Sequence, residues 1–328
     1  LLGTDLAPFP LAFFCVGMLS GYATELLALA KGHSLPADWE LVQDNRYTME
    51  GSATAGTMRG AALPVELELR AGSEENHGAL QALLVDAVAA SPAGALLRAT
   101  HKGRFALQHN GKVLQPARVL ATTPSAVCPM DFDLLQPAPA HAFPSDIISK
   151  LQSAPLREGV SGGVGSSLTN DQKRTLHMQG RCRQRDDGLL EITVELFSPL
   201  GSRFRFLVEP SEACSAPRAP SPAMYLSAGI AFCYLTQMGR YAHIVRKPLT
   251  DYRLVQDSAF GLPGASSGSG RACSADALLT EVFIQSAADD EFAKSVVSMS
   301  EQTCFLHAAC REVVPVRIKG LRSNVQTP

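Results

Sequence analysis

Two cysteines hold the most chemical promise in this 328-residue chain: Cys233, in the middle of an apolar helical pattern that starts at Pro222, and Cys304, which closes the segment Ser300-Glu301-Gln302-Thr303-Cys304. A thiol attacks as its thiolate, and a mid-helix position draws little help from the helix dipole, which acts in the terminal turn. A nearby cation has to supply that help. The stretch Gly180-Arg181-Cys182-Arg183-Gln184-Arg185 places three arginines at alternate positions, hence on one face of a strand, and Arg181 is the candidate partner of Cys233. Each residue also has a plainer reading. A lone cysteine on an apolar helix is commonly a small buried hydrophobe, and alternate arginines commonly mark the solvated face of a sheet.

An internal repeat favours a paired site over two packing residues. The pattern from Pro222 to Cys233, the later Leu254-Val255-Gln256-Asp257 and the segment ending at Cys304 have earlier counterparts: a run from Pro8 to Leu19, a second Leu-Val-Gln-Asp at Leu41 and Ser91-Pro92-Ala93-Gly94-Ala95. Where the later copy has Cys233 and Cys304, the earlier one is expected to have Leu19 and Ala95, which would fill the vacated site with apolar groups. Other candidates are weaker. His307 follows Cys304 by one helical turn and reads as a surface or capping histidine, Cys310 is an alternative second thiol, and strand alternation turns Cys182 away from Arg181.

The elements that must position these groups are readable from periodicity. Arg174 to Arg185 and Leu189 to Phe197 alternate apolar and polar residues around Asp186-Asp187-Gly188, a hairpin signal, and Arg203 to Val208 continues as a third strand. Pro222 to Ile244 predicts a central helix, apolar nearly all round from Leu226 to Leu235. Leu249 to Phe260 and Leu278 to Ile284 read as strands joined by a flexible Gly/Ser-rich loop, Gly261 to Ser274; Asp289 to Ser300 reads as an amphipathic helix and Val313 to Ile318 as a last strand. The first copy gives strands near Trp39 to Tyr47 and Val65 to Leu69, a helix at His77 to Ala90 and a strand near Arg104 to Gln108. Residues 1–114 thus form a degenerate first unit whose leading strands are missing. Residues 115–173 form a Pro/Ala/Ser/Gly-rich linker with at most a short helix at Asp146 to Leu151, and 174–322 the unit with the cysteine pair. The fold class is α+β, helices on mainly antiparallel sheets.

Composition narrows the function. With 46% hydrophobic and 18% charged residues the chain is globular, with length for two units that each bury a core. A net charge of -2 gives no electrostatic footprint for nucleic acid or an anionic membrane. Eight irregularly spaced cysteines without a Cys-x-x-Cys point to free thiols in a reducing, cytoplasmic or organellar compartment, with neither metal nor cofactor called for. The uncharged stretch Leu6 to Thr24 contains two prolines and two glycines and is the counterpart of an internal segment, so it reads as a buried core helix, not a membrane anchor.

Gly180-Arg181, then Asp186-Asp187-Gly188, then Ser221-Pro222 leading to Cys233, then Cys304 resembles the pattern of the OsmC/Ohr family of thiol-dependent peroxidases. The resemblance covers residues 174 to 320 and, in degenerate form, 6 to 114. It implies an OsmC-like fold in tandem, with Cys233 as peroxidatic thiol, Cys304 as resolving thiol and Arg181 as the guanidinium that stabilises the thiolate. It further implies a hydroperoxide substrate, an external dithiol reductant and a dimer-like arrangement, either a pseudo-dimer within the chain or a homodimer. Ala223 replaces the family's glutamate after the helix-start proline, and Phe305-Leu306 replaces the Pro-Tyr after the second cysteine. These departures leave open a catalytically weak binding or structural protein with redox-inert cysteines.

Overall fold

In the computed structural model, which describes residues 7–31, 35–36, 38–71, 77–129, 146–153, 172–198, 200–211, 214–319 and 322–323, the apolar run near the start forms helix α1 (Pro10–Leu29). Proline opens it, where a fixed φ and a missing N–H cost nothing. The chain continues through β1 (Glu40–Gly51), β2 (Arg59–Ala62), β3 (Val65–Ala71), α2 (His77–Ala90), α3 (Pro92–Arg98) and β4 (Arg104–His109). Short strands β5 (Lys112–Leu114), β6 (Leu120–Ala121) and β7 (Ile148–Gln152) precede three long ones, β8 (Gln172–Gln184), β9 (Leu190–Ser198) and β10 (Leu200–Val208). The order of the first run then returns as α4 (Pro222–Ile244), β11 (Asp251–Asp257), β12 (Leu279–Gln285), α5 (Asp290–Thr303), α6 (Phe305–Arg311) and β13 (Val316–Ile318), followed by β14 (Arg322–Ser323).

Among the described residues the strands form two sheets, and both mix the two runs, which makes the protein α+β. The larger has the order β13-β3-β1-β8-β9-β10-β7, with β2 beside β1 and β14 beside β3; the smaller has β11-β12-β4-β5, with β6 beside β4. Strand β1 pairs antiparallel with β8 over all but its first residue, from Leu41 opposite Cys182 to Gly51 opposite Gln172. The closing strands are exchanged: β13 pairs in parallel with β3, and β4 pairs in parallel with β12. One large hydrophobic cluster takes side chains from both runs, and a small second one gathers Leu189, Leu207 and Ala219.

Helices α1 and α4 cross at the centre of the large cluster, and two glycines set how closely. A Cβ on Gly17 would lie 2.5 Å from the backbone nitrogen of Leu226, and one on Gly229 would lie 2.6 Å from that of Phe14. The two backbones touch, leaving no room for a side chain at either place. Helix α1 is long and apolar enough to cross a membrane, yet 83% of its most apolar window is buried inside the protein, chiefly against α4 and α2.

Several local expectations need correction. Asp146 to Leu151 is not a helix: Ile148–Gln152 is an edge strand on β10, because an open sheet edge offers backbone hydrogen bonds that so short a helix cannot match. The segment after 115 is likewise more than a linker, since Leu120–Ala121 joins the smaller sheet and Ser125 and Ala126 donate to the Glu281 carboxylate. Residues 130–145 and 154–171 lie outside the described set. The Gly261–Ser274 loop is tied down: the buried Glu25 carboxylate of α1 accepts from the N–H groups of Ala265 and Ser266 and from the Ser266 hydroxyl, and Gly264 donates to Ala90.

Candidate thiol site

The sequence pattern that ends the amphipathic helix at Ser300 misses a sharper feature. Helix α5 runs to Thr303, and Cys304 is at once its C-cap and the N-cap of α6. At φ -72° and ψ 118° its extended backbone turns the chain between the two helices, and its sulfur accepts the His307 N–H at 3.5 Å. A cysteine in this place serves as a weak version of a serine cap. Cys233, on α4, faces the same junction.

The pair is asymmetric. Cys233 is held below the usual thiol range chiefly because the Cys304 S–H donates to its sulfur; burial opposes this, and the N–H groups of Leu306 and Phe305 at the start of α6 add to it. Cys304 is pushed well up, first by burial and then by its hydrogen bond to Cys233 and that residue's charge. The arrangement thus favours the thiolate form at Cys233 over that at Cys304. The His307 ring is packed between Phe105 and Tyr234, with centroids 5.6 and 5.0 Å away, and its Nδ1 is 3.3 Å from the Cys304 sulfur. Burial, with Arg311 adding to it, lowers His307 to about 3, so the imidazole is neutral, and its Nε2 has no hydrogen-bond partner among the described residues. His307 is therefore no surface residue; the Cys-x-x-His spacing, with cysteine as N-cap, was the signal for it. Cys310 is buried close by and is pushed up to about 12, chiefly by burial.

Arg181 is not part of this cluster. Its neighbour Cys182 is buried on the α1 side of β8, together with Gly180, whose missing Cβ would meet the Cys15 sulfur at 2.7 Å. Arg181 alternates to the opposite, solvent-facing side, where its Nε donates to Gln179. Arg183 on the same face pairs with Glu40. The solvated-face reading holds for these arginines, and the cation expected beside Cys233 is replaced by the Cys304 thiol and two backbone N–H groups. Arg311, which donates to the Glu301 carboxylate and to the carbonyl of Gly60, is the guanidinium whose charge reaches His307 and Cys310. It lines a cavity of about 500 Å³ with Arg59, Lys102, Arg118 and Phe105.

The first run carries the same geometry without the chemistry. Gly21 stands as far into α1 as Cys233 does into α4, and Ser91 caps α3 as Cys304 caps α6, accepting from Gly94 N–H where Cys304 accepts from that of His307. By helix offset and cap position, Gly21, Ser91 and Gly94 stand in the first run where Cys233, Cys304 and His307 stand in the second, whereas matching letters pointed to Leu19 and Ala95. Cap positions fix the register that short apolar runs leave ambiguous.

All eight cysteines are free thiols. Among the described residues, no group of three or more His, Cys, Asp or Glu side chains is placed to hold a metal ion. Comparison with known proteins gives no match: no family model fits the chain, no curated protein is similar in sequence, and no solved structure is similar to it.

Proposed function

We propose that the protein is a thiol-dependent peroxidase of the OsmC-like kind, a tandem duplication in which the first copy is a non-catalytic partner and the second keeps the cysteine pair. The observation that carries this reading is the thiol pair itself, with Cys233 lowered by a Cys304 S–H that is itself raised. In that division of roles the Cys233 thiolate attacks the O–O bond of a hydroperoxide, leaving a sulfenic acid and releasing an alcohol once the alkoxide takes a proton. The Cys304 sulfur then bonds to that of Cys233, and its proton leaves with the sulfenic hydroxyl as water. An external dithiol reduces the disulfide and restores both thiols. Organic hydroperoxides are the substrate class, and the cavity at Arg311 and Phe105 is the approach, since the Phe105 ring separates it from His307. The chain acts as its own dimer in a reducing compartment.

The low exposure of both thiols, 3% for Cys233 and 0% for Cys304, favours a second reading, a binding or structural protein with inert cysteines. Consumption of an alkyl hydroperoxide in excess dithiothreitol separates the two. The peroxidase reading expects turnover that Cys233→Ser abolishes and Cys304→Ser impairs; equal rates in all three proteins would establish the inert alternative.

A further inference from the structure

A second constellation lies outside the thiol site. His109 ends β4, Ser286 follows the last residue of β12, and Asp290 opens α5. The His109 Nδ1 is 2.9 Å from the Asp290 carboxylate, and its Nε2 is 3.0 Å from the Ser286 hydroxyl. These contacts settle the tautomer. A carboxylate can only accept, so Nδ1 carries the proton; Nε2 is then an acceptor, as the amide nitrogen of Asn110 at 3.3 Å from it also requires. The Ser286 O–H therefore donates to a basic nitrogen, which leaves its oxygen lone pairs available.

The supports are built in. Asp290 is lowered first by Lys112, whose ammonium is 2.6 Å away, and then by His109, so it stays an anion. The Asn110 side chain donates to the Ser286 carbonyl and accepts its N–H, which locks the β4–β5 turn onto the strand end that carries the serine. His109 is 2% exposed and Ser286 7%, whereas Gln285 and Ala287 on either side of the serine are exposed, so the hydroxyl lies just under the surface. No acceptor among the described residues takes the N–H groups of Ala287 and Ala288, next to the nucleophile and just ahead of α5.

We propose that Ser286, His109 and Asp290 form a nucleophile–base–acid relay that takes acyl groups from small, solvent-borne carboxylic esters. Ser286 Oγ bonds to the acyl carbon while its proton passes to His109 Nε2. The ester C–O bond breaks and the alkoxide leaves with that proton; water then repeats the transfer, releasing the acid and restoring the hydroxyl. Ala287 and Ala288 supply N–H groups for the oxyanion. This site goes beyond the peroxidase reading and does not depend on it.

A fluorophosphonate probe tests it on the full chain, since the same attack expels fluoride and leaves a phosphonyl group on serine. Mass spectrometry is expected to find the group on Ser286, with none in Ser286→Ala. Its formation should slow roughly a hundredfold or more in His109→Gln and in Asp290→Asn. Asp290 is 37% exposed, so its substitution leaves the core intact. Cys233→Ser should label like the parent, which separates this site from the thiols. An unmodified Ser286 in the folded parent, or equal labelling rates in parent and folded Asp290→Asn, overturns the proposal.

Discussion

A Cβ placed on Gly21 would lie 3.8 Å from the Cβ of Ser91, so the first run of elements keeps the spacing of a cysteine pair at the positions equivalent to Cys233 and Cys304. Bridged cysteines have Cβ atoms about 3.5–4.5 Å apart. The double substitution Gly21→Cys with Ser91→Cys should therefore close a disulfide on mild oxidation. Only ordinary contacts, to Pro222 and Ser91, surround that Cβ. Mass spectrometry of the unreduced protein checks this; persistent free thiols at both positions would disprove the equivalence.

Removing Cys304 should raise Cys233. In Cys304→Ala the largest stabilising contact of the thiolate is lost while burial remains, so the Cys233 titration should move up. Difference titration by thiolate ultraviolet absorbance follows it. Arg181→Ala should leave the same titration unchanged, because that side chain lies on the solvent face.

His307 should set part of the acid limit of stability. Its folded value, near 3, lies below the unfolded 6.5, so between those values the unfolded chain binds the extra proton and stability rises with pH. The contribution is complete above 6.5 and lost on acidification. His307→Phe keeps an aromatic ring between Phe105 and Tyr234 and should flatten the slope in that window by up to about 1.4 kcal/mol per pH unit. Urea denaturation across the range measures it.

Glu25→Ala should free the Gly261–Ser274 loop. Three donors lose their acceptor, at a cost of about 1–3 kcal/mol for each left unsatisfied and less where water reaches it. Arg271 is exposed in that loop, so tryptic cleavage after it should accelerate by about tenfold or more, since a 1.4 kcal/mol loss already gives a factor of ten in the open population. Unchanged cleavage would mean that the hydrogen bonds to α2 suffice to hold the loop.

The bounds of α2 and α4 were legible to the residue, because proline starts α4, apolar periodicity fills it and local signals agree. The hairpin at Asp186-Asp187-Gly188 was equally plain, and Gly188 adopts φ 86° there. Strand β7 was not legible, since its pairing with β10 is non-local and its own sequence carries no alternation that demands a strand. The short helices α3 and α6 escaped notice because about two turns show too little periodicity, although each has a side-chain cap, Ser91 or Cys304.

For the site, the sequence by itself determined which thiols belong together and that one run of the chain lacks them, because residue identity and repetition are written in the letters. It could equally well have placed Arg181 beside them or on solvent. Tertiary structure decided that question through the alternation of β8, which turns Cys182 inward to α1 and Arg181 outward. It also brought in His307, because only the packing of α6 against Phe105 and Tyr234 takes that ring out of water and leaves it neutral beside Cys304. Spacing along a chain fixes what can be shared by one face of an element; what faces it from another element depends on how the two pack.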